Sequence, residues 1–492
     1  MTTSASTEAP QDRRRWYALA VLVMAQFIVI LDGAIVNVAL PSIQTALDFS
    51  TENLQWVITA YAITFGGLLL LGGRLADRLG RRRLFVVGVS IFTATSLLDG
   101  LAWNESSLIA ARALQGLGAA LLTPAALSLL VNTFTDPRER NVALGIWGVA
   151  VGSGGATGLL LGGALTELDW RWIFFINIPI GVAVLALTPL FVRESRSASA
   201  GGSFDVAGAI SSTGGLGLLV YGLTYAAEHG WSSMTTAGLL AGAAALLGAF
   251  VAIEARSSDP LLPLRIFRLR TLSGSNLAML LASSAAFVVF LLGTLYMQQV
   301  LAYSPLETGL AFLAVTVTIL VAAAPVQGLV GRVGIRPLVP TGFLIMAAGV
   351  AWLARMPVDG QFLADLFPGF VAMGLGSTLV FVPGQIGAQS GVAAADSGVA
   401  SGLINTSQQI GGAVGVAVAA TIAATFTSRY ADDHAGSAVG AAQAHGFGAA
   451  FWVFAGVLAV AALLTALLIE SEPAPAADGQ DAERAHAPVF GA

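Results

Sequence analysis

The sequence predicts an all-α membrane protein with fourteen transmembrane helices. Three observations carry this: an apolar composition, regular apolar stretches of helical length, and arginines sorted to alternate turns. Over 492 residues, 56% are hydrophobic and 10% charged, and the mean hydropathy is +0.80, well beyond a soluble domain. A helix needs about 20 apolar residues to cross a hydrocarbon core of roughly 30 Å. Such stretches fall near 17–39, 53–72, 84–103, 107–131, 141–163 and 172–192, then 205–226 and 235–254. Six more lie near 273–297, 308–330, 338–356, 361–383, 398–424 and 448–470.

An even number of spans puts both termini on one side, and the arginines assign that side to the cytoplasm. Nineteen of the 23 arginines lie in segments on the side of the N-terminus, three (Arg171, Arg355, Arg429) lie opposite, and Arg112 lies inside a span. That asymmetry is the positive-inside rule. Residues 1–15 read as a cytoplasmic segment ahead of an uncleaved first helix, whose apolar run is longer than a signal core. Residues 471–492, rich in Ala, Pro and acid, read as a disordered cytoplasmic tail.

Composition also excludes chemistry. With no lysine, neither a phosphate-binding P-loop nor a lysine Schiff base can be written, which rules out transport driven by this chain's own ATP hydrolysis. With no cysteine there is no disulfide, thiol catalysis or thiolate metal site. The four histidines, His229, His434, His445 and His486, fall in loops or the tail without ligand-like spacing. No enzyme, metal or cofactor is expected.

The turn between spans 2 and 3 is the most informative motif. Gly73-Arg74-Leu75-Ala76-Asp77-Arg78-Leu79-Gly80-Arg81-Arg82-Arg83 holds six charges between two apolar runs. Topology explains the arginines, but not the glycines, which permit close approach and sharp reversal, or the lone aspartate. The run resembles the signature G-x-L-A-D-R-x-G-R-R of the major facilitator superfamily. A degraded echo, Gly328 to Pro337, follows span 10 with Gly331 at the aspartate position. The resemblance implies two six-helix bundles related by a repeat, with the transport route between them. Here the linker also holds two spans, a layout that resembles the fourteen-helix drug:proton antiporter family. The expected division is 1–15, an N-terminal bundle 16–192, a linker with two helices 193–271, a C-terminal bundle 272–470, and the tail 471–492.

Further stretches carry the narrower resemblance. Leu31 to Pro41 (LDGAIVNVALP) is close to the family's L-D-x-T-I-V-N-V-A-L-P, with Ala34 in place of threonine. Arg112 to Ala119 matches R-x-x-Q-G-x-G-A, and Trp170 to Pro179 is also family-like, whereas the second half matches mainly through 398–415.

Arg112 is the first functional candidate, because an arginine inside an apolar helix costs between ~2.5 and 17 kcal/mol unless it is paired, hydrated or snorkelling. It either snorkels outward or pairs, with Asp32 or, failing that, Asp99. The resemblance implies Asp32 with Arg112 as the proton-linked pair, and Asp99 stands with them as the other candidate carrier of the proton. Alternatively, Asp32 is a packing carboxylate satisfied by Asn37 or Gln26. In span 5, Gly148, Gly152, Gly155 and Gly162 are expected on one face, with Gly158 beside them. In the family this is the antiporter helix; here Leu159 follows Gly158 where the family has proline. Plain close packing is the competing reading. A gate is expected from Gly73, Asp77, Arg78, Gly80, Arg81 and Arg82, with Asp77 locking onto Arg140 or the start of helix 11 when the cytoplasmic side is closed. The alternative is a solvated topology signal.

The expected cavity is lined by Gln26, Asn37, Tyr61, Phe65, Gln115, Trp147, Phe290, Asn405 and Gln408, with Tyr296 nearby. An apolar, aromatic and weakly polar lining suits a bulky amphiphile. The sequence thus reads as a multi-pass exporter of the cytoplasmic membrane, acting as a monomer. It would exchange amphiphilic compounds such as antibiotics for protons, without nucleic acid or cofactor. An importer or uniporter of the same fold is the alternative, and a non-transporting sensor a weaker one, since no inside loop is long enough for a partner domain.

Overall fold

A computed structural model describes residues 11–50, 53–195, 205–257, 260, 262–390, 392, 397–434 and 438–470. Residues 1–10 of the expected N-terminal segment and the expected tail from 471 lie outside the described residues, whereas residues 11–15 begin α1. The chain is built from helices α1 (Gln11–Leu47), α2 (Trp56–Leu79), α3 (Arg81–Gly100), α4 (Glu105–Thr133) and α5 (Pro137–Leu168). There follow α6 (Trp172–Phe175), α7 (Asn177–Phe191), α8 (Val206–His229), α9 (Met234–Arg256) and α10 (Arg270–Leu295). The last five are α11 (Pro305–Val333), α12 (Leu338–Leu353), α13 (Phe367–Gly387), α14 (Ser397–Asp433) and α15 (Val439–Leu468). Ten helices are long and apolar enough to cross a membrane, and shorter apolar stretches occur in α2, α5, α8 and α12, all among the described residues.

Local chemistry sets several boundaries. Gly80 separates α2 from α3 at φ 108°, a region closed to most L-residues. Asn104 with Ser107, and Ser304 with Glu307, form capping boxes at the starts of α4 and α11. The sixth expected span is one apolar stretch from Trp172 to Phe191 whose hydrogen bonding is interrupted around Ile176, between α6 and α7, with the backbone still helical (φ −59°, ψ −27°). The ends of α1 and α14 run past the apolar stretches, to Leu47 and Asp433, because helical hydrogen bonding does not stop where hydropathy does.

Within the first half α1 packs on α5 and α7, and α4 on α2 and α3. In the second half α10 packs on α14, and α12 on α13 and α15. The added hairpin α8–α9 lies against α2 and α14, where Gly67 meets Thr213. The outer helix α9 leaves Met234, Leu246 and Val251 exposed, as a lipid-facing helix does.

The apolar cores show how the halves meet. One core holds Leu31, Ile35 and Ile43 of α1 and Leu54 ahead of α2, together with Leu291 of α10, Phe312 of α11 and Phe370 of α13. It joins both halves at the end away from the arginines. Nearer the arginines, a second core (Leu22, Phe85, Phe92, Leu122, Val184) uses first-half residues alone. Away from the joined end α14 packs on α2, where Thr406 donates to the Gly66 carbonyl at 3.2 Å. At the joined end itself Gln298 donates to the Val38 carbonyl at 2.8 Å and Gln299 to Gln44 at 2.9 Å. Close backbone approach of Gly163 to Leu306, and of Gly309 to Leu159, seals α5 against α11 at this same end. The two halves are fused at one end and keep separate cores towards the arginine-rich end.

Candidate functional site

The first half encloses a buried charge cluster. Arg112 and Gln115 stand three residues apart on α4 and share a face. Gly116, the next residue, lets α4 approach α2 until an added Cβ would lie 2.5 Å from the Tyr61 carbonyl. At that separation Arg112 reaches across: its Nε donates to the Val57 carbonyl at 2.9 Å, and its guanidinium lies 4.5 Å from the centre of the Tyr61 ring. Its Nη1 donates to Asp32 Oδ2 at 2.6 Å and also to Gln115 Oε1. Arg112 is 1% exposed and Asp32 0%, so the pair is removed from solvent. An ion pair at this depth persists only if its remaining hydrogen-bonding positions are filled. They are: Asp32 Oδ1 accepts from Gln115 Nε2 at 3.0 Å and Asn177 Nδ2 at 2.9 Å. Both amides also donate to Ser96 Oγ, at 2.7 and 3.2 Å. The cluster ties α1, α3, α4 and α7 together.

Of the two acids weighed as partners for Arg112, the structure pairs Asp32. Neither Asn37 nor Gln26 satisfies that carboxylate. Asn37 donates to the Gly33 and Ala34 carbonyls of its own helix. Gln26 is buried with its Oε1 unbonded. Asp99 is also fully buried, with both carboxylate oxygens unbonded. Ser96 and Asn177 were missed by sequence reasoning. The signal for Asn177 was a lone amide in the apolar run Trp172 to Pro179; a serine in a membrane helix carries none.

The glycines of α5 differ in what they touch. Gly154, Gly158 and Gly162 pack on α1, where added Cβ atoms would lie 3.2 Å from Ile30 Cβ, 2.8 Å from the Leu31 carbonyl and 2.9 Å from the Ile35 carbonyl. Gly155 lies close to Gly162 on the helical wheel, but a Cβ added there meets nothing within 4 Å. Side-chain positions at Gly148 and Gly152 lie outside the described residues.

At the arginine end, Arg140 donates to the Phe134 and Thr135 carbonyls of its own turn, at 2.9 and 3.4 Å. The side chain of Asp77 lies outside the described residues, and the expected lock belongs to a state closed at this end. Glu194, unremarked in the sequence, caps α3 instead: its carboxylate accepts from the Arg82 and Arg83 amides at 3.1 and 3.2 Å. An acid at a helix N-terminus is favoured by both hydrogen bonding and the macrodipole. Gly80 lies against that carboxylate, and Arg81 donates its amide to the Ser195 carbonyl at 3.1 Å. Arg78 stands in the last turn of α2, whereas Gly73, expected in the turn, lies inside the helix, and Gly80 alone of the two has positive φ.

Some of the expected cavity residues are sealed into packing. Gln115 belongs to the charge cluster and is 0% exposed. Tyr296 is a core residue whose hydroxyl donates to the Pro357 carbonyl at 2.5 Å. Phe290 lies 5.0 Å from Phe312, the rings tilted by 57°, against the shared core. Tyr61 and Phe65, 5.7 Å apart, and Trp147 pack with the first-half core. In the second half Gln408 is half-buried and donates to Met279 Sδ at 3.4 Å, with Asn405 half-buried on the same helix.

An all-α, multi-pass arrangement of two helical halves with a dry charge cluster inside one of them is the architecture of a membrane transporter. The profile described as Major Facilitator Superfamily matches residues 22–416 and again 275–491, and the chain belongs to that superfamily. The puromycin resistance protein pur8 of Streptomyces alboniger is 41% identical over 474 residues, covering 95% of this chain and 94% of that one. The cephamycin export protein CmcT of Amycolatopsis lactamdurans is 42% identical over 400 residues, covering 80% and 82%. The fold is similar to that of a bacterial homolog of the human lysosomal transporter Spinster, solved inward-facing and unoccupied. The TM-score is 0.64 at 16% identity, covering 93% of this chain and 97% of that one.

Proposed function

We propose that this chain is a proton-coupled exporter of amphiphilic small molecules, antibiotics among them, that works by alternating access. The observation that carries the proposal is the buried Asp32–Arg112 pair, a titratable group whose charge state is tied to helix packing. With Asp32 ionised, Arg112, Gln115 and Asn177 hold α1 to α4 and α7. A proton on Asp32 cancels the ion pair and frees those donors. Substrate binding that favours the ionised form then competes with protonation, and by linkage the two fluxes oppose each other. Relatives named for resistance to or export of puromycin and cephamycin support the export direction.

In this reading the helices make fourteen spans and both termini are cytoplasmic. The separated, arginine-rich end is then the cytoplasmic one, and the described conformation is the one that loads substrate from inside. Gly73, Asp77, Arg78, Gly80, Arg81, Arg82 and Arg140 close that end in the alternate state. Gly158 and Gly162 let α1 and α5 move in contact. The protein acts as a monomer, and the proton gradient is the only energy source.

The test is uptake of a fluorescent amphiphilic cation by vesicles containing purified protein under an imposed pH gradient, for wild type and Asp32→Asn. Wild type accumulates the dye and collapse of the gradient abolishes accumulation; Asp32→Asn loses the gradient response. Equal uptake with and without the gradient, in both proteins, would contradict antiport.

A further inference from the structure

Among the described residues, Asp99 is the acid with both carboxylate oxygens buried and unbonded. It lies three residues beyond Ser96, on the same face of α3, and Ser96 Oγ already accepts from the cluster's two amides. Asp99 therefore borders the Asp32–Arg112 site. The elements packed on α3 are α2, α4, α6 and α7. Of the charged groups they and α1 present, Arg112 and Asp32 are the two that act electrostatically on Asp99. Arg112 commits Nη1 and Nε to hydrogen bonds, while Nη2 makes none among the described residues.

One guanidinium neutralises one carboxylate. Two ionised acids beside a single arginine would leave an uncompensated charge out of water, and a buried group in that position neutralises instead. Asp32 has the donors of an ionised carboxylate and Asp99 has none. The converse constraint applies when Asp32 takes a proton: Arg112 is then the uncompensated charge unless a second acid ionises.

Building on the proton-coupled reading above, we propose that Asp99 is a second proton-binding residue, which exchanges its proton with Asp32 so that Arg112 always faces one carboxylate. In the exchange the O–H bond of the Asp99 carboxyl breaks, an O–H bond forms on Asp32, and Arg112 changes partner through Nη2. The exchange itself keeps one proton and no net charge in the cluster; that proton leaves to water when a cationic substrate binds and supplies the compensating charge, which is the release that antiport requires. The ion pair moves from α1, which contacts α10 and α11 of the other half, to α3, whose close packing is all within its own half. The exchange thus releases the helix that joins the halves without leaving a bare charge in the membrane.

The test is infrared spectroscopy of the purified full-length protein in lipid nanodiscs at neutral pH, with vesicle transport of the fluorescent cation alongside. Wild type is expected to show a carboxylic-acid carbonyl band that disappears in Asp99→Asn and persists in Asp99→Glu. Gradient-driven accumulation is expected to be lost in Asp99→Asn and regained in Asp99→Glu. A spectrum unchanged by Asp99→Asn overturns the assignment of the proton to Asp99, whatever Asp32 does. A band lost without loss of gradient-driven transport overturns its role as a carrier. Gradient dependence that survives Asp32→Asn contradicts the proton-coupled reading instead, and leaves the Asp99 band to be judged separately.

Discussion

Arg112 shows why a charge can reside in a membrane helix without snorkelling. Its guanidinium is held by a carboxylate, an amide and a backbone carbonyl, and covered by the Tyr61 ring. Such a fork is specific to arginine, since a lysine ammonium cannot reproduce planar donation in several directions. Arg112→Lys is therefore expected to keep the charge but lose the geometry. Arg112→Ala would leave Asp32 buried and unpaired, costing about 3–5 kcal/mol. Thermal unfolding in detergent, with vesicle transport, reads both: Arg112→Ala unfolds at lower temperature, and both variants lose gradient-driven accumulation. A wild-type unfolding midpoint in Arg112→Ala would contradict the pairing. The sequence pointed to Arg112 and Asp32 because a charge in an apolar span stands out. It gave no notice of Ser96 or Asn177, whose small polar side chains are unexceptional until the fold brings them to one carboxylate.

At the scale of the helix, apolar length located the long helices, and composition could not fix how each one faces. In α5 glycines occur at 152, 154, 155 and 158, so small residues line more than one side and the sequence supports several faces equally. Packing against α1 selects Gly154, Gly158 and Gly162. The choice predicts an asymmetry between two alanine substitutions. A methyl at Gly158 would stand 2.8 Å from the Leu31 carbonyl, whereas at Gly155 it meets nothing within 4 Å. Gly158→Ala should destabilise by about 1–3 kcal/mol, the usual cost of overpacking, and Gly155→Ala should be close to neutral. Unfolding midpoints of the two variants check this, and equal effects would contradict the assigned face. The interruption between α6 and α7 escaped hydropathy because the residues on both sides are apolar; Ile176 keeps helical backbone angles, and Pro179 has no N–H to offer the Phe175 carbonyl.

For the molecule as a whole, the signature turn at Gly73 to Arg83, its echo near Gly328 and the arginine distribution made two facilitator halves legible before any coordinates. How the halves meet was not legible, because contacts such as Gln298 with the Val38 carbonyl join residues far apart in sequence that have no shared pattern. Those contacts close one end and leave separate cores at the other, so that a charge cluster inside one half can be coupled to motion between halves through α1. Proton linkage at Asp32 is the centre of this account. It is measured most directly as proton release when purified protein in weakly buffered detergent solution binds the fluorescent cation. The account predicts release of protons by wild type on binding, and none by Asp32→Asn with binding retained. Binding without release by wild type, or equal release by the variant, would contradict it.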